Sequence, residues 1–244
     1  MSEDRILIGY HAIEEALKGV QGGGMLYVSQ KNERIAGLIK VASSVKIKIK
    51  RSTDEHLLKI GGSDHRGAVL ILDAPVKTIG TGISDFLNSL TVPRSLVLIL
   101  DGITDPHNLG AVLRSADQFG VDMVILPTKR SVKVNNTVLK TSAGAGMYVP
   151  VREVTNLVRC IEELKEHGFW IYGAQISGDP LWQCELADRA ALVLGAEGKG
   201  IGRLIGEKCD QFVHIPTMGH IDSLNVSVAG GIMLYEYRRQ KTIG

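Results

Sequence analysis

The chain has 244 residues, of which 44% are hydrophobic and 22% are charged, a balance typical of a globular protein with a sizeable core. The formal net charge of +2 excludes a polybasic nucleic-acid binder, and the apolar runs are far too short to cross a membrane. The length predicts one large domain or two smaller ones. The first residues lack the apolar run of a signal peptide, so we expect a cytoplasmic protein.

The first 75 residues predict a small α/β domain. It is expected to contain a strand running into a helix over 5–18, a strand over 25–29, a helix over 35–43, and strands over 45–50 and 68–72. In the strand over 45–50, Lys46, Lys48 and Lys50 alternate with apolar residues, so a period of two places the three lysines on one face. A solvated strand face and an RNA-facing ridge are both open interpretations of this pattern.

Residues 76–94 predict a linker, because prolines and Gly80-Thr81-Gly82 surround only a short helical stretch over 83–90. From residue 95 onward, predicted strands and helices alternate. The strands are expected over 96–100, 123–126, 149–151, 170–174, 191–194 and 211–214, and the helices over 109–119, 136–142, 154–167, 203–208 and 225–240. Such alternation predicts a mainly parallel sheet with helices on both faces.

The first stretch whose residues could take part in binding or catalysis is DGITDPHNLGAVLRSADQFG, residues 101–120. A polar loop follows a predicted strand, and ligands in open α/β sheets bind where strands end. Leu109, Val112, Leu113 and Ala116 form the buried stripe of the next helix, which directs Arg114 toward the edge of that stripe. Asn108 as a helix N-cap and Arg114 in a surface salt bridge are the competing structural explanations.

Two later stretches have the same mixture of glycine and polar residues. LVLGAEGKGIG, residues 192–202, lacks both the dinucleotide-binding fingerprint and the P-loop pattern, but its Glu197 could bind a hydroxyl group or a cation. In the third stretch, residues 214–230, Ser223 and Asn225 flank Leu224 and could instead cap the last helix. Gly230-Gly231 within that helix predict close packing of another backbone, for which a second subunit is one candidate.

Metal chemistry and covalent catalysis are not expected from the remaining residues. Cys160, Cys184 and Cys209 form no CxxC pair, and an odd number cannot pair fully within one chain, so reduced thiols and no zinc site are predicted. The histidines show no metal-ligand spacing. No Ser-His-Asp or Cys-His arrangement can be argued.

The three stretches, in this order, resemble the SpoU branch of the SPOUT methyltransferases, which methylate the ribose 2′-hydroxyl of RNA with S-adenosylmethionine. Residues 95–244 are similar to the whole SpoU catalytic domain. Residues 1–75 are similar to the small ribosomal protein L30e-like RNA-binding domain of the subgroup that acts on a guanosine of 23S ribosomal RNA. The resemblance implies a parallel sheet with a C-terminal trefoil knot that forms the cofactor pocket, and a homodimer across that knot.

The resemblance also implies the roles of individual residues. The implied catalytic residues are Asn108, Arg114, Glu197, Ser223 and Asn225. The implied S-adenosylmethionine-binding residues, several through their backbone, are Leu194, Gly195, Gly198, Ile215 and Leu224. Relatives tend to carry smaller, uncharged residues at the positions of residues 219–222. The loop before Ser223 is therefore the part of the site whose conformation the resemblance predicts least directly.

Three other functions compete with this one. The catalytic residues do not separate ribosomal RNA from transfer RNA as the substrate of 2′-O-methylation, although transfer RNA enzymes of this family tend to lack the N-terminal domain. An RNA-binding ribosome assembly factor without catalysis is the second alternative, and the intact set of implied catalytic residues disfavours it. A dinucleotide-dependent dehydrogenase would require the fingerprint that is missing here.

Overall fold

The computed structural model describes residues 5–19, 23–63, 65–73, 83–220 and 223–242. Contacts divide the chain into two compact units, Met1–Lys77 with Val134–Tyr148 and Thr78–Lys133 with Val149–Gly244. The part of the predicted linker at 76–82 lies outside the described residues. Within those described ranges, no helix has the length and apolar character that a membrane span requires.

Ten strands and nine α-helices make up the described structure. The strands are β1 (Arg5–Ile8), β2 (Gly24–Val28), β3 (Lys48–Arg51), β4 (Ala68–Leu72), β5 (Ser95–Asp101), β6 (Met123–Pro127), β7 (Val151–Val154), β8 (Trp170–Pro180), β9 (Arg189–Gly195) and β10 (Gln211–His214). The helices are α1 (Tyr10–Gly19), α2 (Glu33–Ser44), α3 (Asp54–Gly61), α4 (Ile83–Ser89), α5 (Pro106–Gln118), α6 (Asn136–Thr141), α7 (Leu157–Glu166), α8 (Arg203–Gly206) and α9 (Val226–Thr242).

The first unit contains a four-stranded sheet in the order β1-β4-β2-β3. Strand β4 is antiparallel to both β1 and β2, whereas the edge strand β3 runs parallel to β2. The apolar stripes of α1 and α2 cover one face of this sheet. The resulting core includes Ile13, Leu17, Leu26, Ile35 and Leu70.

Two elements of the first unit differ from the sequence-based expectation. Strand β3 begins only at Lys48, because Val45 caps α2 and Lys46 takes a left-handed backbone conformation with φ of +60°. Helix α3 was not predicted, since Leu57 is its only fully buried side chain. It forms nevertheless because the Thr53 side chain caps its first turn by accepting from the backbone N–H of His56 at 3.3 Å.

The segment Val134–Tyr148 belongs to the first unit, although the predicted catalytic domain over 95–244 includes it. Its helix α6 begins where the Asn135 side chain accepts from the backbone N–H of Val138 at 3.1 Å. Leu139 of this helix is buried in the core of the first unit. The hydroxyl of Tyr148 donates to the backbone carbonyl of Glu15. These contacts explain why Val134–Tyr148 belongs to the first unit.

The second unit is built on a six-stranded, fully parallel sheet in the order β10-β8-β9-β5-β6-β7. The central strand β5 is buried along nearly its whole length, as its continuous apolar sequence predicts. Helices α4, α7 and α8 contribute to the core on one face, around Val97 and Ile99. On the other face, α9 packs against α5 and β9 through Gly230.

Element boundaries in the second unit shift for local reasons. Strand β7 begins at Val151, immediately after Pro150, and α7 begins only after Asn156, whose side chain caps the backbone N–H of Arg159 at 3.2 Å. Strand β8 runs six residues beyond its predicted end and pairs with β10 along this extension. Helix α4, within the predicted linker, buries Phe86 and Leu87 in the second unit's core.

We expect Leu98→Ala to lower the free energy of unfolding of the second unit by about 2–5 kcal/mol, because it leaves a cavity beside the central strand. Both tryptophans of the chain, Trp170 and Trp182, lie in this unit, so tryptophan fluorescence in a urea titration measures its unfolding. Val92→Ala, at an exposed position of the same unit, is the matched control, with an expected change within about 0.5 kcal/mol. If the two variants lost the same free energy of unfolding, the core position of Leu98 would be contradicted.

Candidate active site

A cavity of about 790 Å³ opens in the second unit, where the neighbouring strands β9, β8 and β10 end. This volume is in the usual range for a small-molecule site, and the carboxyl ends of adjacent parallel strands are the usual place for one. The residues that line it come from the strand ends, the following loops and the first turns of α9. They are Ala174, Gln175, Ile176, Leu194, Gly195, Ala196, Glu197, Gly198, Gly200, Val213, His214, Ile215, Pro216, Thr217, Ser223, Leu224, Val226, Ala229 and Met233.

The loop after β9 is shaped by close contact between backbone segments. A side chain at Gly195 would place its Cβ well under 3.0 Å from the backbone of Gly200, so only glycine fits there. The N–H of Gly200 donates to the carbonyl of Ala196 at 2.8 Å, and Gly198 and Gly200 both have positive φ. At the end of the loop, the N–H of Gly202 donates to the carboxylate of Asp101 at 2.8 Å. The loop is thereby tied to the neighbouring strand β5.

Glu197, at the tip of this loop, joins the three stretches singled out in the sequence. Its Oε1 accepts from Asn108 Nδ2 at 3.1 Å and from Asn225 Nδ2 at 2.8 Å. Asn225 Nδ2 also donates to Asn108 Oδ1 at 2.9 Å. Asn108 and Asn225, which are 89 and 28 positions from Glu197 in the chain, thus donate to the same carboxylate oxygen. Among the described residues, Glu197 Oε2 has no hydrogen-bond partner, so it can accept a further donor.

The explanation of Asn108 as a helix N-cap is wrong. The same explanation for Asn225 is confirmed, and this side chain also belongs to the hydrogen-bonded cluster. Helix α5 is capped by Asp105, whose carboxylate accepts from the N–H of His107 at 2.9 Å, which leaves the Asn108 amide available. The Asn225 oxygen caps α9 by accepting from the N–H of Ser227 at 2.9 Å. Its NH₂ group donates to Asn108 and Glu197 at the same time. One side chain therefore serves both purposes.

The residues predicted to bind the cofactor all lie around the cavity. Leu194, Gly195, Gly198, Ile215 and Leu224 line it, together with Glu197 and Ser223 from the predicted catalytic set. Asn108 and Asn225 lie behind Glu197 in the hydrogen-bonded cluster instead. The structure thus brings nine of the ten predicted site residues to one place. Their roles remain predictions.

Sequence reasoning missed the part of the cavity formed by β8 and β10. Gln175 and Ile176 lie on the unpredicted extension of β8, and His214 ends β10. His214 Nδ1 is 2.7 Å from the carbonyl of Gly178, which fixes the ring across the two strands. The strand order supplies the missing signal, because β8 lies between β9 and β10 and its end must reach the same edge.

Arg114 is the one predicted site residue that stays apart. It lies on α5 six positions after Asn108, about 9 Å along the axis and on a different side of the helix. Its side chain is exposed and lines no part of the cavity. The salt-bridge explanation is wrong for the described residues, because none of them forms an ion pair with this guanidinium.

No group of three or more His, Cys, Asp or Glu side chains suited to hold a metal ion occurs within the described ranges. All three cysteines are free. Burial raises the pKa of the Cys160 thiol to about 12 and that of Cys209 to about 11. Since the thiolate is the reactive form, neither of these two cysteines is suited to act as a nucleophile near neutral pH.

Comparison with known proteins agrees with this geometry. Residues 95–235 match the sequence profile of the SpoU rRNA Methylase family. The 23S rRNA (guanosine-2′-O-)-methyltransferase RlmB of Neisseria meningitidis serogroup B is 41% identical, over 100% of this chain and 98% of the relative. A TrmH family tRNA/rRNA methyltransferase of Staphylococcus haemolyticus is 38% identical, over 99% and 98%. The SpoU methyltransferase AviRb from Streptomyces viridochromogenes, solved with AdoMet, has a TM-score of 0.80 at 21% identity, over 99% and 91%.

These similarities define the class of the protein as an RNA methyltransferase with a parallel α/β sheet. The chain belongs to the SpoU rRNA Methylase family. The likeness to AviRb, at its lower identity, extends this to the fold along almost the whole chain.

We expect Gly195→Ala to destabilise the second unit by about 3 kcal/mol, the upper end of the usual cost of overpacking, because its Cβ would collide with the backbone of Gly200. Gly219→Ala is the matched control, since a Cβ there has no neighbour within 4 Å. Urea unfolding followed by tryptophan fluorescence measures both. If Gly195→Ala were as stable as the control, the close approach of these two backbone segments would be refuted.

Proposed function

We propose that this protein transfers a methyl group from S-adenosylmethionine to the 2′-hydroxyl of a guanosine ribose in 23S ribosomal RNA. The observation that carries the proposal is the Asn108–Glu197–Asn225 cluster beside the cavity of this SpoU family member. The relative from Neisseria, whose name specifies this reaction, aligns with the full chain and supports guanosine of 23S rRNA as the target. Ribosomal RNA as substrate also implies a cytoplasmic location.

The cavity suits S-adenosylmethionine in size and in chemistry. Leu194, Ile176 and Met233 offer apolar surface for an adenine ring, and the backbone of the loops around Gly195, Ile215 and Leu224 offers hydrogen-bonding groups. Glu197, with one free carboxylate oxygen, can accept from a hydroxyl group or lie near a positive charge. When bound, the cofactor supplies a methyl group on a sulfonium centre. AviRb, a protein of the same fold, was solved with AdoMet, which supports this assignment.

Two features of the family fold belong to the same proposal. We assign the C-terminal trefoil knot to the part of the chain that includes the segments 195–200, 214–217 and 223–226, and their shared lining of the cavity supports the assignment. We assign RNA binding to an L30e-like domain over residues 1–75 and catalysis to residues 95–244, whereas the predicted linker over 76–94 contributes α4 to the core of the second unit. The mixed sheet of the first unit and the parallel sheet of the second support this division of roles.

In this mechanism, the residues of the site would position the ribose 2′-oxygen for transfer of that methyl group and stabilise the charge that develops on the oxygen, while the hydroxyl proton passes to solvent. A guanidinium has a pKa above about 12 and is a poor base, so Arg114 acts by binding the adjacent phosphate and the developing alkoxide. Asn108 and Asn225 orient Glu197 through their amide groups. Ser223, which lines the cavity, can exchange a hydrogen bond with the substrate or cofactor.

Arg114 reaches a reaction site in this mechanism from a second copy of the chain, which makes the enzyme a homodimer. An apolar stripe on α9 supports such a contact, because Val228, Ile232 and Tyr235 are 49%, 37% and 54% exposed at helical spacing. Helix α9 packs beside α5, the helix that carries Arg114. Within this chain, Gly230 and Gly231 pack against the side chains of Leu194 and Ser115, so the predicted close approach of another backbone is not found in a single copy.

Transfer RNA is the competing substrate, and the name of the Staphylococcus relative covers both RNA classes. We favour ribosomal RNA because the full-length alignment with the Neisseria relative includes the first unit. A non-catalytic assembly factor is the weaker alternative, because the three-residue cluster is fully formed beside the cavity.

We expect labelled methyl groups from S-adenosylmethionine to enter 23S ribosomal RNA from a strain that lacks this protein, at one guanosine. Resistance of the neighbouring phosphodiester to alkali identifies that position. Arg114→Ala should reduce kcat by about 10²–10³-fold, the usual effect of losing one charge-stabilising group. Arg159→Ala removes an equally exposed arginine from α7, on the opposite face of the sheet, and should retain nearly full activity.

Three outcomes would change this proposal. Label only in transfer RNA would keep the chemistry and overturn the substrate. Near wild-type turnover by Arg114→Lys would overturn the role of the guanidinium. No label in ribosomal RNA, transfer RNA or assembling subunits, with RNA still bound, would favour the assembly factor.

Mixing two inactive variants tests the contribution of the partner subunit. We expect Arg114→Ala and Glu197→Ala to be inactive alone, and their mixture, after subunit exchange, to regain about one quarter of wild-type activity. In a mixed dimer, one site carries both defects and the other carries neither. If Arg114 served the site of its own chain, every site would carry one defect and no activity would return. Ile232→Asp should shift the sedimentation coefficient toward that of a monomer.

A further inference from the structure

The edge strand of the first unit carries a cluster of positive charge that the proposed reaction does not use. Lys46, Lys48, Lys50 and Arg51 are all exposed and lie within six residues of one another. No carboxylate among the described residues forms an ion pair with any of them. The chain as a whole has a net charge of only +2, so positive charge is concentrated in residues 46–51, strand β3 and the two residues before it, which we term the basic edge.

An aromatic side chain lies beside the basic edge. The parallel register pairs Met25 with Lys48 and Tyr27 with Lys50, which places these side chains on the same face of the sheet. The Lys50 ammonium lies 5.9 Å from the centre of the Tyr27 ring. The centre of the His56 ring on α3 lies 5.5 Å from the centre of the Tyr27 ring. The Tyr27 side chain remains partly exposed.

We propose that the basic edge binds an unpaired segment of the substrate RNA, with phosphates on Lys48 and Lys50 and a base against Tyr27. This inference rests on the proposed function, because it names where that RNA is held. Alternate residues of a strand are about 6.6 Å apart, close to the spacing of successive phosphates in an extended nucleic-acid strand. Cations that follow the backbone, combined with an aromatic platform, are the common means of binding single strands.

Protection of a sheet edge against self-association is the structural alternative, since lysines on edge strands commonly have that effect. It accounts for the charge on β3 but not for the partly exposed Tyr27 ring beside Lys50. An acidic protein partner would satisfy the charge but would leave the aromatic ring without a stacking partner. RNA accounts for both features and carries the matching charge.

The test measures equilibrium binding of the full-length protein to an unmodified 23S ribosomal RNA transcript between 0.05 and 0.3 M salt, a range over which the Debye length falls from about 14 to about 6 Å. Lys48→Ala/Lys50→Ala should lower the slope of log K against log salt by about 1.4 and weaken binding about 25-fold at 0.1 M salt. Lys18→Ala/Lys40→Ala is the matched control, because these lysines lie on α1 and α2, which cover the opposite face. It should change affinity less than about threefold.

Tyr27 provides an independent arm of the test. Tyr27→Leu should weaken binding at least about fivefold, whereas Tyr27→Phe, which keeps the ring, should bind normally. Circular dichroism checks that the leucine variant is folded, and the lysine variants keep the proposal testable if it is not. For RNA methylation, the lysine variant should show a raised KM with an unchanged kcat.

The contrary outcomes are distinct from one another. Equal loss in the two double-lysine variants would mean general attraction only and would overturn the proposal. Unchanged RNA affinity with self-association of Lys48→Ala/Lys50→Ala would assign the lysines to edge protection. Polyglutamate binding that depends on these lysines, without RNA binding, would favour an acidic protein partner. Absence of methyl transfer by the wild type, with lysine-dependent RNA binding, would overturn the proposed reaction and leave this surface intact.

Discussion

The architecture of the candidate site depends on one carboxylate, that of Glu197. A single oxygen of this group accepts two amide hydrogen bonds, from Asn108 at the start of α5 and from Asn225 at the start of α9. Bonds to an ionised acceptor are stronger than neutral ones, and here they connect two helix ends to the loop after β9. The position of the cavity wall relative to both helices is therefore set by this one contact. Loss of both amides would leave the loop held only by the contact between Gly195 and Gly200 and by the hydrogen bond from Gly202 to Asp101.

That glycine base explains why a carboxylate can be held at such a place. Gly195 and Gly200 approach each other closely enough to exclude any side chain, and Asp101 of the central strand holds Gly202 at the far end of the loop. Because the backbone is fixed at both ends, Glu197 projects from a short, closed loop. An exposed carboxylate on a long loop would lose more conformational freedom on binding a ligand.

Much of this organisation can be predicted from the sequence, and the failures have physical causes. The buried strand β5 and the stripe of α5 follow directly from continuous and helical apolar patterns. Helix α3 could not be predicted, because its single buried residue, Leu57, gives no periodicity. The extension of β8 contains the exposed residues Gln175 and Ile176 and is a strand only through its pairing with β10. Long-range contacts of this kind leave no local signal.

The distribution of charge links the two units of the chain. The first unit has 13 Lys and Arg against 9 Asp and Glu, a balance of +4, whereas the second has 15 against 17, a balance of −2, so the unit with the cavity offers little general attraction for a polyanion. A reaction on RNA then requires that affinity and chemistry depend on different residues. Charge on the β3 edge can change the capture of RNA without altering the Asn108–Glu197–Asn225 cluster. Because methyl transfer depends on alignment more than on net attraction, a catalytic unit with a slight negative balance releases a methylated product more readily than a polybasic one.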